Sequence, residues 1–234
     1  MIAIFDWDGT LCDSVDQIVA AMLGAAAEAG LPAPTVPAVR DIIGLGLPQA
    51  VARLFPGLDE EGGLRLAETY SRHYLSGSPD VPALFDGALD TLLALRERGV
   101  ELAVATGKSR RGLDRMLNEL AMADLFHITR CADETRSKPH PLMVQQILAE
   151  RGKQPHEALM IGDSEHDLAM AQQAGVGSVA VSFGVHDEAR LAPFSPLMII
   201  DSLPQLLEVE AFCDLSESGP AKAGGTSTPD SLSN

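Results

Sequence analysis

The chain has 234 residues, 46% of them hydrophobic, with 17 basic side chains against 33 acidic ones for a formal charge of −16. That is enough to bury a core in one domain with a sizeable insertion, and so acidic a surface, with no basic cluster longer than Arg110-Arg111, repels nucleic acid and anionic lipid. The cysteines Cys12, Cys131 and Cys213 are widely spaced, without CxxC or metal-ligand spacing, which fits a cytoplasmic, reducing setting; the apolar N-terminus, interrupted by Asp6 and Asp8, falls far short of a signal core, and no run approaches the length of a membrane span.

In chain order, Ile2-Ala3-Ile4-Phe5 reads as a buried strand, and Asp6-Trp7-Asp8-Gly9-Thr10 follows at once. Two carboxylates therefore arrive where a strand ends, followed by a turn glycine and a hydroxyl. In a parallel sheet that end faces the ligand crevice. Trp7, between the two aspartates, is expected to point away from them by strand alternation. Residues 15–81 hold segments of helical character at 16–29, 36–43, 47–54 and 63–75, separated by Gly and Pro, and no strand pattern. They predict a helical insertion hinged at 12–15 and 78–84. Beyond it, helix-period segments at 87–98, 109–120, 141–151 and 167–174 alternate with apolar runs at 101–105, 159–161, 178–182 and 197–200. This alternation predicts an α/β fold, a Rossmann-like parallel sheet with helices on both faces, with a small all-helical cap domain inserted after the first strand. The expected domains are an α/β core of residues 1–14 and 82–213, a cap of residues 15–81, and a Ser/Gly/Pro/Thr-rich disordered tail of residues 214–234.

Three polar clusters fall at predicted strand ends: Asp6/Asp8/Thr10, then Thr106-Gly107-Lys108, then Gly162-Asp163-Ser164. A fourth, Ser137-Lys138-Pro139-His140-Pro141, precedes a helix, its prolines stiffening the backbone around one lysine. Each alone reads equally as a polar turn, a solvated lysine or a helix start favoured by acids. Parallel strands, however, bring all of them to one sheet edge. His140 and His166 read as loop residues near that edge.

Taken in order, D-x-D-G-T, a strand-terminal Thr-Gly, a loop Lys-Pro and Gly-Asp-x-x-x-Asp resemble the four motifs of the haloacid dehalogenase superfamily over residues 1–210. Asp13-Ser14 opening a helical insertion, together with the run from Gly162 to Gly175, is most similar to its phosphoglycolate phosphatase-like branch. The resemblance implies a phosphoric monoester hydrolase acting on a small phosphorylated metabolite, phosphoglycolate-like or a sugar phosphate. The chemistry asks for the same residue types. Asp6 would be the nucleophile, dividing one hard displacement into two through an aspartyl-phosphate. Asp8 would be the general acid and then the base. All-oxygen ligation by Asp6, Asp163 and the Asp8 carbonyl suits Mg²⁺. Thr106, the Gly107 N–H and Lys138 would hold the charge of the transferring group. Asp167 would bind the metal through water or orient Lys138 or Asp163 from behind.

Asp8 is present where the family's dehalogenases carry a non-acidic residue, and no lysine precedes Lys108, which excludes a Schiff-base lysine in the cap and argues against a β-phosphoglucomutase-like mutase. That mutase and a non-catalytic phosphate-binding module remain the alternatives. Arg40, ahead of the Gly-bounded segment 43–47, resembles a substrate-recognition residue of the branch, with Arg53 as its rival. For both, the solvated helix residue is the favoured reading. The expected partner is the small substrate alone, and the chain is expected to be a monomer or a homodimer.

Overall fold

The computed structural model describes residues 1–76 and 82–213. Part of the expected second hinge and the expected tail lie outside the described residues. Six parallel strands, β1 (Ile2–Phe5), β2 (Glu101–Thr106), β3 (Ile128–Cys131), β4 (Ala158–Gly162), β5 (Gly177–Val181) and β6 (Met198–Ile200), form one sheet in the order β3-β2-β1-β4-β5-β6. In this doubly wound order the chain reverses direction of travel between β1 and β4, and the crevice beyond their carboxyl ends is where such sheets take ligands.

Strand alternation divides the core into two layers. Ala3, Phe5, Val104 and Ile161 pack toward α5 (Ala88–Glu97) and α6 (Arg110–Glu119), whereas Ile2, Ile4, Ala103 and Met160 pack toward α7 (Leu142–Arg151) and α8 (Glu165–Ala174). Strands buried on both faces explain the continuous apolar runs. The α/β architecture expected from the sequence is present. It contains one strand, β3, that the apolar pattern did not reveal, because half-buried Thr129 and Arg130 interrupt it. A short α9 (Glu188–Leu191) and a terminal α10 (Glu210–Cys213) complete this part.

Between β1 and α5 lie four helices, numbered here by chain order: α1 (Val15–Glu28), α2 (Val36–Asp41), α3 (Leu47–Leu54) and α4 (Glu60–Ser76). They share an apolar cluster of their own in which Ile18, Met22, Val39, Val51 and Leu66 are buried. The chain enters and leaves this group along paired backbone: Asp13 N–H donates to Ala83 O at 2.9 Å and Phe85 N–H to Leu11 O at 3.0 Å.

Candidate active site

Asp6 sits one residue past β1, its N–H still donating to Ile161 O at 2.9 Å, so the strand ladder fixes its position. The chain then wraps around the Trp7 carbonyl, which accepts from the N–H groups of Leu11 and Cys12. Gly9 is needed in this turn: its φ is +84°, and a Cβ there would lie 2.3 Å from Asp163 Oδ2. Trp7 is fully buried and meets Phe126 edge-on at 6.2 Å, on the side away from the aspartates, as alternation expects.

Lys138, completely buried at the start of a cis Lys138-Pro139 bond, places its Nζ 2.6 Å from Asp6 Oδ1 and 2.6 Å from Asp167 Oδ1. Asp167 also caps its own helix. Its Oδ2 accepts from Ser164 N–H at 3.1 Å and Ser164 Oγ at 2.6 Å, so one α8 carboxylate both closes a capping box and aims the lysine. Asp163 accepts from Thr10 Oγ1 at 2.8 Å and from Val185 N–H at 2.9 Å. Backbone crowds it closely, since a Cβ at Gly184 would fall 2.1 Å from Asp163 Cβ. Thr106 is buried at the end of β2, and its Oγ1 accepts from Lys108 N–H at 3.2 Å.

Asp6, Asp163 and Asp167 each offer an oxygen within 4.8 Å of the others, and Lys138 is the ammonium set among them. Three carboxylates against one ammonium leave two negative charges in a buried space. Burial raises Asp6 well above the ordinary carboxylate value, Lys138 pulling it down while Asp167 and Asp163 push it further up. Burial, then Asp167, lifts Asp163 to about 7. Burial works against the charge of Lys138, yet Asp167 and Asp6 hold its pKa above the ordinary lysine value. Asp6 Oδ2 is buried without a hydrogen-bond partner. An orphaned carboxylate oxygen among hard oxygen donors with surplus negative charge fits a divalent cation.

Asp8 faces a different neighbourhood. Ser14 stands at the N-cap position of α1 but makes no capping bond; its Oγ donates to Asp8 Oδ1 instead. Lys108 Nζ lies 2.9 Å from the same oxygen and 3.1 Å from the Tyr74 hydroxyl, over whose ring it also sits at 4.6 Å. Burial opposes the charge of Lys108, but Asp8, Tyr74 and Tyr70 together hold its pKa above the ordinary value. Sequence reasoning had given Lys108 and Tyr74 no role. Tyr70 and Tyr74 are one helical turn apart on α4, and only the packing of the inserted helices over the sheet edge brings them to the cavity beside Asp8.

The loop between α2 and α3 lies directly on the site. A Cβ at Gly107 would meet Leu45 O at 2.5 Å and Gly44 O at 2.6 Å. Gly46 N–H donates to Ser137 Oγ at 2.7 Å. His166, in the first turn of α8 rather than in a loop, contacts Asp41 O at 3.1 Å, and Arg190 joins Asp41 to Glu165. Arg40 is not brought to the cavity beside Asp8; its guanidinium donates to Gly184 O at 3.2 Å. Arg53 pairs with Asp41 at 2.6 Å. His140 stays in the loop, accepting from Leu142 N–H.

Residues 3–181 match the family model described as haloacid dehalogenase-like hydrolase. Phosphoglycolate phosphatase 1 of Pseudomonas aeruginosa is 32% identical over 212 residues, covering 88% of this chain and 78% of that protein. The phosphoglycolate phosphatase of Vibrio vulnificus is 30% identical, covering 88% and 93%. In three dimensions a hydrolase from Pseudomonas syringae superposes with a TM-score of 0.80 over 89% of this chain and 96% of its own, at 24% identity, a likeness of fold.

Proposed function

Because this chain belongs to the haloacid dehalogenase-like hydrolase family, we propose that it is a Mg²⁺-dependent phosphatase that hydrolyses a small phosphorylated metabolite through an aspartyl-phosphate on Asp6. One observation carries this reading: Asp6 Oδ2 is buried, lacks a hydrogen-bond partner and stands at the carboxyl end of β1 among Lys138, Asp163 and Asp167. The phosphatase relatives named above support it.

Asp6 Oδ2 attacks phosphorus, the ester P–O bond breaks, and Asp8 delivers a proton to the departing alkoxide. Once the alcohol has left, Asp8 takes a proton from the water that attacks the acyl phosphate, and phosphate is released with Asp6 restored. Lys138 keeps Asp6 in place through its 2.6 Å contact and shares the equatorial charge with the Thr106 hydroxyl and the Gly107 N–H. Asp167 is the positioning residue for Lys138. Asp6, Asp163 and the Asp8 carbonyl would hold the Mg²⁺, which supplies the positive charge that lets an anionic carboxylate approach an anionic phosphoryl group. The loop 43–46 seated on Gly107 acts as the inner face of a cap and excludes bulk water. Arg40, donating to the Gly184 carbonyl, ties the inserted helices to the core.

The insertion lacks lysine, which favours hydrolysis over the mutase chemistry of similar folds. The test is Mg²⁺-dependent phosphate release from a panel of small monoesters, with EDTA and Asp6→Asn as controls. Release that is lost in both controls is expected. Release retained in full by Asp6→Asn contradicts the proposal.

A further inference from the structure

A cavity of about 290 Å³ opens directly beside Asp8 and Lys108, between the core and the inserted helices. Since Asp8 protonates the leaving oxygen in the proposed mechanism, the alcohol half of the substrate must extend into this space. Its walls are Ile18 and Met22 from α1, Ile43 from the loop that covers the site, Leu47 and Ala50 from α3, and Tyr70 from α4. These side chains are hydrocarbon or aromatic, and Ile18, Met22, Ile43 and Ala50 are buried.

The cations around it are unevenly placed. Lys108, at the inner end, is already engaged by Asp8 and the Tyr74 hydroxyl. Arg53 is paired with Asp41 and Arg40 with the Gly184 carbonyl. Arg111 and Arg115 come from α6 on the core side, where Arg115 pairs with Glu119 and Arg111 is exposed, with no ion-pair partner among the described residues. A second carboxylate two carbons from the phosphate would therefore leave water among apolar walls, at the inner end where Lys108 is already engaged and away from exposed Arg111, and such a burial is costly. It would also underfill the space, which has the volume of on the order of ten waters at about 30 Å³ each.

Resting on the phosphatase reading above, we infer that the preferred substrate is the phosphate monoester of a hydrocarbon-rich alcohol larger than glycolate, whose apolar body lies against Met22, Leu47 and Tyr70. Specificity then arises from burial of carbon rather than from a charge contact in the cap. Pockets of this kind bind by apolar area and orient by a few polar groups at one end.

The test is kcat/KM, with Mg²⁺ present, for ethyl, butyl and hexyl phosphate and for phosphoglycolate. Burial of each methylene is expected to raise kcat/KM about fourfold, placing hexyl phosphate at least a hundredfold above ethyl phosphate and well above phosphoglycolate. Met22→Gln and Ala50→Leu, one making the wall polar and the other filling the cavity, are each expected to flatten the dependence on chain length. Brisk release with no dependence on chain length, or with phosphoglycolate preferred, overturns this inference and leaves the phosphatase reading standing. No Mg²⁺-dependent release from any ester overturns both.

Discussion

Lys108 Nζ lies 2.9 Å from Asp8 Oδ1, with both side chains about nine-tenths buried. The pair joins the end of β2 to the turn after β1, and Tyr74 of α4 completes it from the insertion. The group proposed to move protons is thus held by a core lysine that also contacts a residue of the inserted helices.

Replacing Lys108 tests that arrangement. A hydrogen bond to a charged group is worth about 1.5–3 kcal/mol, so Lys108→Met is expected to lower kcat/KM by roughly ten- to a hundredfold. Tyr74→Phe keeps the ring and removes the 3.1 Å contact, and a loss of only a few-fold is expected. Steady-state kinetics on one substrate decides it, and an unchanged Lys108→Met enzyme would remove Lys108 from the mechanism.

The buried carboxylates make opposite predictions for two stability measurements. Lys138→Met leaves Asp6 and Asp167 facing each other without their ammonium, and loss of one partner from a buried ion pair costs about 3–5 kcal/mol. Asp6→Asn instead removes one of the surplus charges. In metal-free buffer it is expected to melt at or above the wild-type Tm, and Mg²⁺ is expected to stabilise it less than the wild type. Urea and thermal unfolding with and without Mg²⁺ measure both.

Gly107 has no room for a side chain because the carbonyls of Gly44 and Leu45 sit where a Cβ would go. Gly107→Ala is expected to push the 43–46 loop off the site and reduce kcat/KM by tenfold or more, with little change in the Tm of a core whose strands are untouched. Equal kinetics in the two proteins would mean that the loop does not seat on Gly107 during turnover.

His186 is buried beside Arg190, His166, Glu165 and Asp41, and burial, then Arg190 and His166, lowers its pKa from 6.5 to about 4. Between pH 6.5 and 4 the unfolded chain takes up a proton that the folded chain refuses, so this residue makes stability fall as pH drops through that window. Asp163, raised to about 7, acts with the opposite sign there, because its folded form keeps a proton that the unfolded form has lost. Comparing His186→Gln with wild type isolates the histidine. The variant is expected to lose less stability than wild type between pH 6.5 and 4, as read by urea unfolding at each pH.

Much of this was legible in the chain because strand ends announce themselves. Apolar runs ending in Asp6, Thr106 and Gly162-Asp163 located the carboxyl edge of the sheet and with it the fold class, while the family rested on the resemblance of the motifs at those ends. β3 escaped because Thr129 and Arg130 give it no continuous apolar run. Lys108 and Tyr74 escaped because their relation spans 34 positions and exists only once the end of α4 reaches the turn after β2. Arg40 was singled out by its place before the loop, but its direction depends on where α2 packs, and Gly184 O receives it.

The claim that most needs a direct measurement is covalent transfer to Asp6. The protein turning over a monoester with Mg²⁺ is quenched in acid within one catalytic cycle, digested, and its peptides weighed. One added phosphoryl group is expected on the peptide that contains Asp6, labile to base and absent from Asp6→Asn. Steady release of phosphate with no phosphorylated Asp6 peptide at any quench time, and with Asp6→Asn still active, would contradict it.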